Sequence, residues 1–234
     1  MQIRDYREYI QRNIYFLGYY EVRETRLLNQ LLQPGDTFVD VGANIGWYTL
    51  LAANQVGPTG RVFAFEPSRV VFGHLVDNVR LSGYTCVVAE RLALADRAGV
   101  VQLRVAAGRS PGTGSILQTE AAVNDATEEV ETIRFDDYFR ANQLESARLV
   151  KIDVEGAELM VLRGMREALE RRAIQYLIIE VADSRLRSVG DSSRELLEML
   201  QGYGYTLSHI GMLRRTPVHT ETPIAFANIL AAAR

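Results

Sequence analysis

Thr37-Phe-Val-Asp-Val-Gly-Ala-Asn-Ile-Gly46 is a β-branched and aromatic run that enters a turn bearing glycines at 42 and 46. Such runs form buried strands, and Pro34-Gly-Asp36 just before it breaks the helical pattern upstream. A helix is expected over Trp47–Asn54, then a loop at Gly57-Pro-Thr-Gly60 and a second buried strand, Arg61-Val-Phe-Ala-Phe65, which ends at Glu66-Pro67. A strand that passes through glycines straight into a helix lets a ligand approach the backbone and offers amide donors at the helix start. The turn is therefore a site for a polar ligand.

Further out, a helix at about 69–82 and a third strand at Tyr84–Ala89 continue the alternation. That rhythm predicts an α/β, Rossmann-like domain, a mostly parallel sheet with helices on both faces. Upstream, Ile10, Ile14, Leu17, Leu27, Leu28, Leu31 and Leu32 recur at helical spacing, interrupted by Gly18-Tyr-Tyr20. Residues 1–33 thus read as a two-helix N-terminal extension and 34–234 as one domain. Between Gly99 and Arg134 the rhythm changes to strand-like runs, Val100–Val105 and Glu129–Ile133, around a Gly/Ser/Thr-rich link at 108–115. This predicts a small antiparallel insertion. A helix Phe135–Asn142, a buried strand Arg148–Asp153, a helix at about 157–170, a strand Gln175–Glu180 and a helix Ser192–Gly202 follow. Tyr205–Ser208 and Ile224–Leu230 are then expected to close the sheet as a hairpin.

Composition narrows the function classes. With a net charge of -3 and a pI near 5.7, and with no block of basic residues, the chain lacks the positive surface that nucleic acid requires. The single cysteine, Cys86, forms no internal disulfide and lies in an apolar run as a packed thiol. The N-terminus alternates charges and aromatics, unlike a cleavable leader, and no apolar run approaches the ~20 residues of a membrane span. A cytoplasmic location is the expectation.

The glycine turn admits two cofactor classes. A dinucleotide fingerprint, Gly-x-Gly-x-x-Gly, would need glycine where Asn44 stands, and no third glycine follows in register. S-adenosylmethionine carries no phosphate but an ammonium, a carboxylate and a sulfonium, which tolerates an acid such as Asp40 beside the turn. Glu66, with Pro67 after it, follows the second strand by the distance at which a carboxylate accepts from both ribose hydroxyls of an adenosine; a buried capping carboxylate is the alternative. Leu92 and Leu94 fit either an adenine shelf or ordinary core packing, with Asp96 placed near the exocyclic amine. Lys151-Ile-Asp-Val-Glu-Gly-Ala-Glu158 brings acids to the carboxyl edge where ligands bind in open α/β sheets. Asp153 and Glu155 are candidates to hold the cofactor ammonium, orient a substrate hydroxyl or bind a magnesium ion, while helix capping is the structural alternative for Glu155 and Glu158. His209 is a further candidate base, and His74 reads as a helix-surface residue.

Pro34-Gly-Asp36, Phe38-Val-Asp-Val-Gly-Ala-Asn-Ile-Gly46, Val62-Phe-Ala-Phe-Glu-Pro67, Asn78 and Val150-Lys-Ile-Asp-Val-Glu-Gly-Ala-Glu158 together resemble the FkbM family of methyltransferases, over about residues 15–205. The resemblance implies a seven-stranded class I methyltransferase fold and S-adenosylmethionine-dependent transfer of methyl to oxygen, on a sugar, a macrolide or another secondary metabolite. Carried over by position, Asp40, Gly42, Asn44 and Gly46 line the methionine end, Glu66 the ribose, and Asp153 with Glu155 the reaction edge. Gly18-Tyr-Tyr-Glu21 is similar to the family's upstream lid, which brings Glu21 toward the cofactor.

Three competing readings stay open on sequence. An NAD(P)-dependent oxidoreductase shares the glycine turn and the acid, but the third glycine is missing. A non-catalytic binding module is compatible with the absence of a decisive base. An N-methyltransferase commonly carries Asn/Asp-Pro-Pro-Tyr after strand four, where Asp153-Val-Glu-Gly stands here. The arginines at 109, 185, 187, 214 and 215 lie in polar stretches and suit either an acidic substrate or water. Tyr6, Tyr9, Tyr15 and Phe16 suit a lid or a homodimer surface.

Overall fold

The computed structural model describes residues 1–5, 9–105, 115–116, 126–211, 215–218, 220 and 224–233. Helices α1 (Tyr9–Leu17) and α2 (Val22–Leu31) precede β1 (Thr37–Val41), α3 (Trp47–Val56), β2 (Arg61–Phe65), α4 (Arg69–Ser82) and β3 (Val87–Glu90). The insertion consists of β4 (Ala93–Leu94), β5 (Gly99–Val105), β6 (Ser115–Ile116) and β7 (Ala126–Ile133). The chain then runs through α5 (Phe135–Ala141), β8 (Ala147–Ile152), α6 (Glu158–Gly164), α7 (Arg166–Glu170), β9 (Ile174–Val181), α8 (Asp183–Ser188) and α9 (Ser193–Gly202). It ends with β10 (Tyr205–His209), β11 (Thr216–Pro217) and β12 (Ala227–Ala233).

The main sheet has the order β11-β10-β12-β9-β8-β1-β2-β3. β9, β8, β1, β2 and β3 are parallel, and β12, β10 and β11 complete the sheet antiparallel to their neighbours. β11 is a two-residue addition to the expected seven strands. The chain steps from β1 outward through β2 and β3, then returns to β8 on the other side of β1. β1 and β8 therefore flank the switch point, beyond whose carboxyl ends a crevice must open.

Because helices cover both faces, the central strands are apolar in nearly every position. Alternate side chains feed opposite layers. Val39, Val41, Phe63 and Phe65 pack with α5, α6, α7 and α9, while Phe38, Val62, Leu149 and Ile178 pack against α2 and α3. Leu27, Leu28 and Leu31 of α2 belong to that second layer, so this part of the N-terminal extension is built into the core. The α/β class and the mostly parallel sheet thus bear out the sequence.

The departures have local causes. The helix expected at about 157–170 is two helices, broken where Gly164 abuts the Ala95 carbonyl and Met165 is sealed in the core. The third strand starts at Val87 rather than Tyr84, whose hydroxyl donates to Asn54. α8 escaped notice because six residues give no periodicity; Asp183 anchors it by accepting from the backbone and hydroxyl of Ser193. β5 and β7 form the expected antiparallel pair, with β4 joining β7 in parallel, while the link at 108–114 lies outside the described residues, as do Arg109, Arg214 and Tyr6. No helix among the described residues is long and apolar enough to cross a membrane.

Candidate functional site

At the switch point, β1 passes into Gly42, whose left-handed φ of 81° only glycine adopts without strain. The closeness of β8 adds a second requirement. A Cβ on Gly42 would lie 1.9 Å from the Asp153 carbonyl oxygen. Asn44 is also left-handed, and Gly46 caps α3 with φ 92°. Asn78 of α4 fixes the turn by donating to the Ile45 carbonyl at 2.9 Å.

The amides of this turn are all committed inside the protein. Gly42 and Ala43 N–H donate to the Phe65 carbonyl at 3.0 and 2.9 Å, and Gly46 N–H to the Ala43 carbonyl at 2.9 Å. Asn44 N–H donates to Glu66 Oε2 at 2.9 Å and Ile45 N–H to Asn44 Oδ1 at 2.7 Å. The positive end of α3 is answered by Asp40, which is buried beneath the turn and accepts from the Thr49 hydroxyl at 2.6 Å. Burial raises the Asp40 pKa, opposed by Lys151 and Thr49.

Glu66 stands at the end of β2 with one oxygen on Asn44 N–H and the other on Ser68 N–H at 3.0 Å. Each oxygen keeps an acceptor lone pair. Burial pushes its carboxyl up to about 7, although both backbone donors pull the other way.

A cavity of about 580 Å³ lies over these strand ends, within the roughly 300–1,000 Å³ typical of small-molecule sites. Gly42, Asn44, Glu66, Pro67, Leu92 and Leu94 line one side. Glu21, Asp153, Glu155, Glu180 and Arg185 line the other, with Tyr19, Tyr20 and Phe226 at its edge. Glu21 takes part from the left-handed residue that starts α2, and its Oε2 accepts from the Tyr48 hydroxyl at 2.6 Å. Burial raises its pKa against the pull of Lys151 and Tyr48.

Lys151 organises this side from below. It is 4% exposed, donates to Asp153 Oδ2 at 2.7 Å and lies 4.6 Å from the centroid of the Tyr48 ring. Desolvation favours its neutral form, yet Asp153, Glu21 and Asp40 outweigh that and raise its pKa. Arg185, carried in by α8, bridges Glu155 at 2.6 Å and Glu180. Burial and the neighbouring Asp153 push the Glu180 carboxyl up to about 8, although Arg185 opposes them. Asp153, Glu155 and Glu180 offer carboxylate oxygens within 4.8 Å of one another.

Among the sequence-expected residues, the fold brings Glu21, Gly42, Asn44, Glu66, Pro67, Leu94, Asp153 and Glu155 to one cavity. Asp40 and Gly46 lie behind its wall, one accepting from the Thr49 hydroxyl of α3 and the other placed where a Cβ would meet Leu75. Two of the expected residues lie elsewhere. His209 pairs with Ile229 and Thr216 on β10, two strands or about 10 Å beyond β9, and does not line the cavity. Asp96 lies past Ala95 against Gly164 of α6, also off the cavity. Glu158 accepts from Gly156 N–H at 3.0 Å in the turn before α6, whereas Glu155 faces Arg185. Of the arginines left open on sequence, Arg185 joins the cavity, and Arg187 pairs with Asp183 on its own helix. Glu180 and Lys151 had signals in the sequence: an acid ending a buried strand, and a lysine inside one.

The raised carboxyls have a consequence for stability. Between the ordinary value of 4.5 and about 7, folded Glu66 holds a proton that the unfolded chain has released, so stability falls as pH rises through that window; Glu180 extends it to about 8. Ligand-free protein is expected to melt lower at about pH 8 than at about pH 6, and Glu66→Gln to flatten the slope. A slope unchanged in Glu66→Gln would show that Glu66 does not cause it.

A parallel sheet whose order reverses between β1 and β8 and whose far edge is closed by antiparallel β12, inserted between β9 and β10, is the class I methyltransferase architecture. Comparison with known proteins narrows this. Residues 40–207 match the Methyltransferase FkbM domain, and the chain belongs to that family. It is 31% identical over 205 residues to the 31-O-demethyl-FK506 methyltransferase FkbM of Streptomyces tacrolimicus, covering 75% of each chain. It is 30% identical over 156 residues to the hexuronic acid methyltransferase AglP of Haloferax volcanii, a match that takes in 67% of this chain and 60% of AglP. Among solved structures, methyltransferase FkbM from Methylobacillus flagellatus superposes with a TM-score of 0.52 at 17% identity, over 95% of this chain and 59% of that one.

Proposed function

We propose that the chain is an S-adenosylmethionine-dependent O-methyltransferase that acts on a hydroxyl of a sugar or other secondary-metabolite small molecule. The observation that carries the cofactor reading is the closed turn. With each amide from Gly42 to Gly46 engaged and Asp40 answering the α3 terminus, the turn has little to offer a pyrophosphate, while the adjacent strand presents Glu66. Two acceptor positions on a buried carboxylate suit a pair of ribose hydroxyls, and Leu92 and Leu94 suit an adenine face. Glu21 and Asp153 suit an ammonium. The acceptor atom rests on the relatives, since one of them is a 31-O-demethyl-FK506 methyltransferase.

When bound, S-adenosylmethionine would supply an electrophilic methyl group. The chain would hold the acceptor oxygen in line with it, shut out water with the residues around Tyr19 and Tyr20, and receive the hydroxyl proton on a carboxylate at the end of β8 or β9. Arg185 stands between Glu155 and Glu180, where a magnesium ion would have to displace it, so no step is assigned to a metal. At about pH 8, where the Glu66 carboxyl is ionised, Glu66→Gln is expected to weaken S-adenosylmethionine binding about tenfold or more by removing charge-assisted acceptance. Calorimetry on the folded variant checks this; undiminished affinity would place the ribose elsewhere. Release of S-adenosylhomocysteine on incubation with hydroxylated compounds tests the activity itself.

A further inference from the structure

The chemistry of the cavity changes from one side to the other. Glu66 and Glu180 close β2 and β9, three strand spacings or about 14 Å apart. If the β2–β1 side takes the adenosine, the acceptor must sit over β8 and β9. There the described lining includes Lys151, Asp153, Val154, Glu155, Glu180, Arg185 and, at the rim, Phe226. Across the whole described lining, the acids Glu21, Glu66, Asp153, Glu155 and Glu180 face only Lys151 and Arg185 as cations. Both cations are already matched, Lys151 by Asp153 at 2.7 Å and Arg185 by Glu155 at 2.6 Å together with Glu180. The mouth carries apolar and aromatic groups in contact with solvent: Phe226 is 60% exposed, Leu17 54% and Tyr19 49%.

We propose, on the basis of the methyltransferase reading above, that the acceptor is an uncharged, ring-bearing hydroxyl compound and that the acids ending β8 and β9 exclude acidic acceptors. A hydroxyl can donate to Glu155 or Glu180, whose oxygens remain acceptors beside Arg185. A carboxylate on the acceptor meets the carboxylates of Asp153 and Glu155 as like charges, and the Arg185 guanidinium is already bridged to Glu155 and Glu180. Large exposed rings at a cavity mouth bind the flat apolar face of a sugar or an aglycone at small cost in side-chain freedom.

The test uses the full chain in two stages. Calorimetric titration with S-adenosylmethionine comes first, because absence of binding removes the reading on which the proposal rests. S-adenosylhomocysteine-loaded protein is then titrated with matched pairs: nitrophenyl glucoside against nitrophenyl glucuronide, nitrophenyl galactoside against the galacturonide, and benzyl alcohol against benzoate. The neutral member is expected to bind about tenfold or more tightly within each pair that binds. In Glu155→Gln/Glu180→Gln, which frees Arg185, the gap is expected to close as the acid gains affinity. Tighter binding of the acidic members to the unaltered protein overturns the proposal, and so does failure of every neutral member to bind while S-adenosylmethionine does.

Discussion

Gly42→Ala is expected to cost about 3 kcal/mol or more and to lower the melting temperature by roughly 6–12 °C, with loss of cofactor binding. Two causes add. An L-residue at φ 81° takes a left-handed strain of about 1–2 kcal/mol. The new methyl would also sit 1.9 Å from the Asp153 carbonyl oxygen and 2.9 Å from its carbon, both backbone atoms that move only if β8 separates from β1. That separation would break the Asp153 N–H bond to the Val41 carbonyl at 3.0 Å and displace Asp153 itself. Gly83→Ala is the control: φ is 72° and nothing lies within 4 Å of the added carbon, so only the strain should register. Thermal melts of the two variants separate the contributions, and equal shifts would show that the strand contact is not tight.

Lys151→Met is expected to destabilise the fold by about 3–5 kcal/mol near neutral pH, a large part of the total stability of a domain. The substitution keeps most of the apolar stem against Tyr48 but removes the charge that Asp153, Glu21 and Asp40 share. With Asp40 1% exposed, water cannot take the place of the ammonium. The acids can escape only by binding protons, so the penalty should shrink as pH falls. Urea denaturation at about pH 6 and about pH 8 reads both effects. A variant as stable as the parent at the higher pH would mean that the acids do not depend on Lys151.

Much of this was legible in the sequence because it follows from strand ends and topology. A glycine turn after β1, an acid after β2 and acids after β8 must meet once the sheet is parallel and reverses order beside β1, and they do. Side-chain direction was less legible. Asp40 has the inward-facing phase of a buried strand residue and turns under the loop to α3 rather than toward the cavity. His209 was placed by its position after a late strand, but β12 inserts between β9 and β10 and carries it two strands away. Arg185 reaches the cavity through α8, an element too short to announce itself, packed so closely on the β8–α6 turn that a Cβ on Gly156 would lie 3.1 Å from the Arg185 carbonyl.

The central claim is that the closed glycine turn and Glu66 make this cavity an S-adenosylmethionine site and not a dinucleotide site. Titration of the purified chain with S-adenosylmethionine and, separately, with NAD(H) tests it most directly. Saturable one-to-one binding of S-adenosylmethionine, weakened in Glu66→Gln, with no heat from NAD(H), is the predicted result. Binding of NAD(H) without S-adenosylmethionine would contradict it.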